Sequence, residues 1–169
     1  MNRVGIDDNE NLESVRATAE GRSTLIATQT ECTFAFTTEA GWPAGVVMSY
    51  LFTRDRFWVT AAAGRAHVRG AVRDPRVSLV ISNAGTPLPG RQMLSIRGTA
   101  TVHTEEAVKS WFYPEFARHL APGDPDSFAA LLNSPNRVVI EVEAVRVAVS
   151  HDSTKMPGDG RGGFGGQSR

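Results

Sequence analysis

Phe57-Trp58-Val59-Thr60-Ala61-Ala62-Ala63-Gly64-Arg65-Ala66-His67-Val68-Arg69-Gly70-Ala71-Val72-Arg73-Asp74-Pro75-Arg76-Val77-Ser78-Leu79 changes character twice, and the fold follows from where it does so. The β-branched and aromatic start predicts a strand over 56–62. The run of small residues ends it, and 65–73 then predicts a short basic helix that must stop at Asp74-Pro75, because a residue before proline is driven out of the helical region. A second strand is predicted over 76–82.

Working outward, strands are predicted at 32–38 and, after Gly41-Trp42-Pro43, at 44–53. Thr53-Arg54-Asp55-Arg56 is short enough to join the latter to the next strand as a hairpin. A weak helical pattern (Leu12, Val15, Ala19) covers 10–21. Downstream, Asn83-Ala84-Gly85-Thr86-Pro87-Leu88-Pro89-Gly90 is loop by composition, and 91–103 is a long strand with Leu94, Ile96, Ala100 and Val102 on one face. Thr104 is the expected cap of a helix carrying Val108, Trp111 and Phe112, interrupted at Pro114 and resuming through Phe116 and Leu120. A helical turn at 126–132 follows. The last strand, 137–149, changes phase: Val138, Ile140 and Val142 alternate on even positions, Val145, Val147 and Val149 on odd ones. A bulge near Glu143-Ala144 would keep both sets on one face. Six strands and minor helices predict a mainly β, antiparallel barrel. The expected division is a helical segment (1–30), the barrel (31–151) and a mobile glycine-rich tail (152–169).

The chain has 169 residues with 18 basic and 18 acidic side chains, a balance that gives nucleic acid nothing to bind. No apolar run approaches membrane-spanning length and the N-terminus lacks a signal-peptide core, so a cytoplasmic protein with no membrane partner is expected. Cys32 has no partner for a disulfide and is expected to be buried in its strand. Gly158, Gly160 and Gly163 spell a dinucleotide fingerprint, but no helix follows them to receive a phosphate. Four scattered histidines and one cysteine predict no metal site.

Small residues admit a ligand to the backbone, a helix start offers free N–H groups, and Arg65, His67 and Arg69 add basic side chains, a combination suited to an anion such as phosphate. A solvated basic helix face fits the charge pattern equally well.

With Arg73-Asp74-Pro75-Arg76-Val77-Ser78-Leu79 and Arg91-Gln92-Met93-Leu94-Ser95-Ile96-Arg97-Gly98-Thr99-Ala100, these segments resemble the pyridoxamine 5′-phosphate oxidase-like superfamily, which includes flavin- and deazaflavin-dependent oxidoreductases of actinobacteria. The resemblance covers 32–149. It implies a six-stranded split barrel working as a homodimer, with flavins between the subunits and a small organic substrate. Val47, Met48 and Ser49 would flank the flavin ring, Thr60 and Ala61 would meet its polar edge or ribityl chain, and Arg65, His67 and Arg69 would hold the phosphate. Gln92 would hydrogen-bond the ring, and Trp111 is either an aromatic wall or core. The expected cofactor is FMN, with the deazaflavin coenzyme F-420 as the alternative, favoured if a longer basic groove includes Arg16, Arg22 and Arg97. The implied activity is hydride or electron transfer. A carrier of flavin, deazaflavin or haem without turnover is the other class. His67 stands where the superfamily usually has lysine and Tyr50 where the true oxidases have another, which argues against vitamin phosphate oxidation. No catalytic residue is nominated.

Overall fold

In the computed structural model, which describes residues 13–156, the alternating segments form strands and the sheet curls into a half-barrel. The elements are α1 (Ala19–Thr28), β1 (Glu31–Thr37), β2 (Pro43–Ser49), β3 (Leu51–Thr53), β4 (Arg56–Ala62), α2 (Ala66–Arg73), β5 (Arg76–Ser82), β6 (Gln92–His103), α3 (Glu106–Leu120), α4 (Pro125–Leu132) and β7 (Arg137–Asp152), with 3-10 turns at Glu13–Val15 and Ser153–Lys155. All strand pairs are antiparallel, in the order β2-β1-β5-β6-β7-β4-β3. The expected start of the N-terminal helix and the expected tail beyond Met156 lie outside the described residues. Among the described residues no helix is long and apolar enough to cross a membrane.

The strand count is seven, not six, because the predicted strand over 44–53 breaks at Tyr50. Its N–H donates to the Thr30 carbonyl (2.9 Å) and its hydroxyl to the Ile26 carbonyl (2.8 Å), which turns the chain before β3. β2 therefore pairs with β1, and β3 pairs with β4, so the sheet begins and ends on two strands that adjoin in sequence. The β3–β4 hairpin turns through Arg54 and Asp55, both at φ 56°, the left-handed pair that a two-residue hairpin loop requires.

Phe34, Tyr50, Phe57, Val59, Leu79, Ile81, Leu94, Ile96, Ile140 and Val142 fill the interior, with Leu25 of α1 packed among them. A second apolar layer lies outside the sheet, where Phe112, Tyr113 and Phe116 of α3 and Leu132 of α4 cover Leu51, Trp58 and Val139. α3 runs unbroken through Pro114. The proline is exposed, so the carbonyl that loses its bond faces water and the helix survives. Its N-cap is Glu105, not Thr104, and has no side-chain capping bond.

Pairing of β6 with β7 slips twice, between Ser95 and Ile96 and between Arg97 and Gly98, so that Val145 and Ala148 are bulged. The expected realignment is thus only partial. Val147 rejoins the interior, while Val145 and Val149 stay on the outer face, 65% and 55% exposed. In α1 the sequence expectation was displaced: the helix is capped by Thr18, whose hydroxyl oxygen accepts from Gly21 N–H (3.0 Å), and extends to Thr28.

Candidate functional site

β2 and β4 diverge from the Tyr50 corner without a ladder between them, and this split is the candidate site. β3 covers only Arg56–Trp58 of β4, so Val59–Ala62 faces β2 across open space. A cleft of about 380 Å³ lies there, within the size range of small-molecule sites. One lip is Val46–Ser49, the other Thr60–Ala62; Arg65 and His67 close one end, and Phe116, Leu120, Phe128 and Leu132 of α3 and α4 form an apolar wall with Arg137 beside it.

Seven of the ten residues singled out from the sequence therefore come together: Val47, Met48, Ser49, Thr60, Ala61, Arg65 and His67. Alternation sorts them, because Met48 packs inward on the core whereas Val47 is 70% exposed on the outer face. The Thr60 hydroxyl is already committed, donating to the Val138 carbonyl (2.9 Å). Ala61 is buried in the core layer beneath the cleft.

α2 begins where β4 ends. Its first-turn amides at Ala66 and His67 have no helical carbonyl to bond. Gly70 seats the helix on β1: a Cβ there would lie 2.5 Å from Phe36 Cδ2 and 3.1 Å from the Thr37 carbonyl oxygen, so no larger residue allows this approach. The seat fixes His67 over Phe34 and Phe36, ring centroids 6.2 and 6.1 Å away. His67 is buried, its Nε2 has no hydrogen-bond partner, and burial followed by the Arg65 charge holds its pKa below the ordinary 6.5. The His67 ring thus lines the cleft with one buried, uncommitted nitrogen; the Tyr113 hydroxyl and His151 Nε2 are likewise uncommitted elsewhere among the described residues but do not line it.

Three nominated residues lie elsewhere. Arg69 points back along its helix and donates to the Gly64 carbonyl. Gln92 donates from Nε2 to the Pro89 carbonyl (3.0 Å) and from its N–H to Asn83 Oδ1 (2.8 Å), pinning the 83–90 loop. Trp111 packs edge-on to Trp58 (4.8 Å, 89°) with the Arg54 guanidinium 3.7 Å from its ring centroid, so it belongs to the helix–sheet layer. The sequence reading missed Arg137 and the helical wall, which no local signal links to β2.

A larger groove, about 530 Å³, crosses the outer face over β1, β5 and β6 and includes Arg97. Its second arginine, Arg76, is occupied by Asp74 through two bonds of 2.9 and 2.8 Å, which hold the Asp74 carboxyl at about 2. Arg16 pairs with Glu13 (3.7 Å), and neither it nor Arg22 lines either cavity. Among the described residues, Arg16, Arg22 and Arg97 therefore share no groove with Arg65.

Residues 19–151 match the family model described as pyridoxamine 5′-phosphate oxidase, and the chain belongs to that family. The fold is shared with the conserved hypothetical protein Rv2991 of Mycobacterium tuberculosis (TM-score 0.71, 18% identity, 84% of this chain and 89% of that one). It is shared also with HutZ, the heme storage protein of Vibrio cholerae (0.60, 13%, 78% and 92%), and with a protein described as an F420 reductase (0.57, 16%, 73% and 93%). No curated protein matches the chain in sequence.

Proposed function

We propose that the protein is a flavin-dependent oxidoreductase that binds FMN in the split between β2 and β4. One observation carries this: the cleft joins Arg65, Arg137 and the His67 ring to an apolar wall of Phe116, Leu120, Phe128 and Leu132. A phosphorylated planar cofactor needs that polarity along its length. When bound, the flavin would supply the hydride and electron chemistry, and the protein contributes position and electrostatics. Arg65 and His67 hold the anionic end. The lips at Val47–Ser49 and Thr60–Ala62 orient the planar part, and the helical wall excludes water and receives the apolar portion of a small organic substrate. The absence of Arg16, Arg22 and Arg97 from the cleft favours FMN over deazaflavin.

The site is completed by a second copy of the chain. Val47, Val145 and Val149 are apolar and exposed on the outer face, and Gln92 reaches a flavin only if a partner subunit brings it, because it lies outside its own chain's cleft.

Purified protein titrated separately with FMN, deazaflavin coenzyme and hemin, followed by visible absorption, tests the reading. The expected result is saturable FMN binding and bleaching of the bound flavin by a nicotinamide donor or an organic reductant. FMN binding without reduction by any donor replaces the enzyme with a carrier. Binding of deazaflavin or hemin in preference to FMN overturns the cofactor assignment.

A further inference from the structure

Arg137 opens β7, and the β4–β7 register sets it opposite Ala62. After Ala62 the chain folds back: Arg65 N–H donates to the Ala62 carbonyl (3.0 Å), and Ala63 N–H donates to the Asn136 carbonyl (2.7 Å). Ala62 is thus the common neighbour of Arg65 and Arg137, which come from segments more than seventy positions apart in sequence and both line the cleft. Among the described residues neither guanidinium makes an ion pair or a side-chain hydrogen bond. Among the described residues no aspartate or glutamate lines the cleft. Arg56 bridges Glu141 and Glu143, Arg54 meets Glu115 and Arg76 meets Asp74, whereas Arg22, Arg91, Arg97 and Arg146 are also without a carboxylate among the described residues but do not line this cleft. Both side chains line the same cleft, and an anion bound there would offset their like charges.

We propose that Arg137 completes, with Arg65, a two-arginine clamp for a terminal phosphomonoester, and that this charge match selects a cofactor ending in a monoester over one whose phosphate is a diester. A monoester carries about −1.5 to −2 charge at neutral pH with three acceptor oxygens, and a planar guanidinium presents its donors in a fork matched to such oxygens. A diester carries one charge and two free oxygens, and leaves one arginine uncompensated. The cofactor identity rests on the flavin reading above, whereas the clamp rests on the arrangement of the cations.

Dissociation constants of the full chain for FMN and for riboflavin, which lacks the phosphate, decide the matter in wild type, Arg137→Ala and Arg137→Lys. Loss of a charge-assisted bond predicts roughly tenfold or greater weakening of FMN in Arg137→Ala, no change for riboflavin and partial recovery in Arg137→Lys. Equal losses for both flavins, or no loss for FMN, overturn the clamp. If the alanine variant does not fold, Arg137→Gln takes its place under the same criteria. If wild type binds neither flavin, the flavin reading fails on its own and calorimetry with inorganic phosphate tests the clamp alone. Phosphate binding that Arg137→Ala abolishes upholds it, and binding that is absent or unchanged overturns it.

Discussion

Gly70→Ala should destabilise the protein, although glycine-to-alanine exchange within a helix ordinarily gains about 0.5–1 kcal/mol. The sign reverses because the added methyl meets Phe36 Cδ2 at 2.5 Å and the Thr37 carbonyl oxygen at 3.1 Å. The ring can tilt, but the carbonyl belongs to the end of β1, so α2 itself must lift. A contact as short as this places the overpacking cost in the upper part of its usual range, about 2–3 kcal/mol, leaving a net loss of about 1–2.5 kcal/mol after the helix gain. At roughly 2–4 °C per kcal/mol for a chain of this size, the melting temperature should fall by roughly 2–10 °C. Urea unfolding measures the free energy directly. Gly123→Ala, with nothing within 4 Å of its added carbon, is the control and should be neutral or gain about 0.4–1 kcal/mol through the unfolded chain. Because α2 carries His67 and follows directly on Arg65, FMN affinity should fall together with stability. A Gly70→Ala protein as stable as wild type or more so would refute the close seating of α2 on β1.

Three further outcomes are expected. Gly98→Ala should cost about 3 kcal/mol, at the upper end of the overpacking range, since its Cβ would lie 2.4 Å from Val142 Cγ1 and 2.9 Å from the Glu143 carbonyl oxygen; the urea midpoint reads this. Cys32, whose thiol burial pushes up to about 12, should resist a thiol reagent at about pH 8 in the folded protein and react fully in urea. His67 has a lowered pKa in the folded state, so below about 6.5 the unfolded chain binds the extra proton and stability falls with pH. The wild-type urea midpoint should therefore drop from about pH 7.5 to about pH 5.5 by more than that of His67→Gln, and equal drops would remove His67 as the cause.

Where side-chain alternation and turn residues coincide, the sequence specified the elements directly. β4 and β5 occur at 56–62 and 76–82 as predicted, bounded by Arg54-Asp55, Ala63-Gly64 and Asp74-Pro75. The break at Tyr50 was invisible because Val47 to Thr53 contains no glycine or proline; hydrogen bonds to Ile26 and Thr30 make that corner, and both are tertiary. α1 was misplaced for a related reason, since Leu25 is its one buried residue and gives no period to read. The two lips of the cleft were nominated through resemblance to a family, and the strand-to-helix step at Arg65 by local chemistry. Arg137 and the helical wall reach the cleft through the β4–β7 register and the packing of α3 and α4, neither of which a linear pattern encodes.

The missing ladder at the split has a consequence for how the protein tolerates change. In a closed barrel, the edge amides and carbonyls of β2 and of Val59–Ala62 would satisfy one another; here that edge of each strand faces the cleft. A polar ring edge placed there meets main chain, and main chain is the same whatever side chain it bears. Binding of the proposed flavin at this edge would therefore be insensitive to most substitutions at 60–62 that preserve size, and sensitive to proline, which alone removes a donor. Were the flavin proposed above bound there, the side chains of the lips could vary without loss of the main-chain groups that meet it.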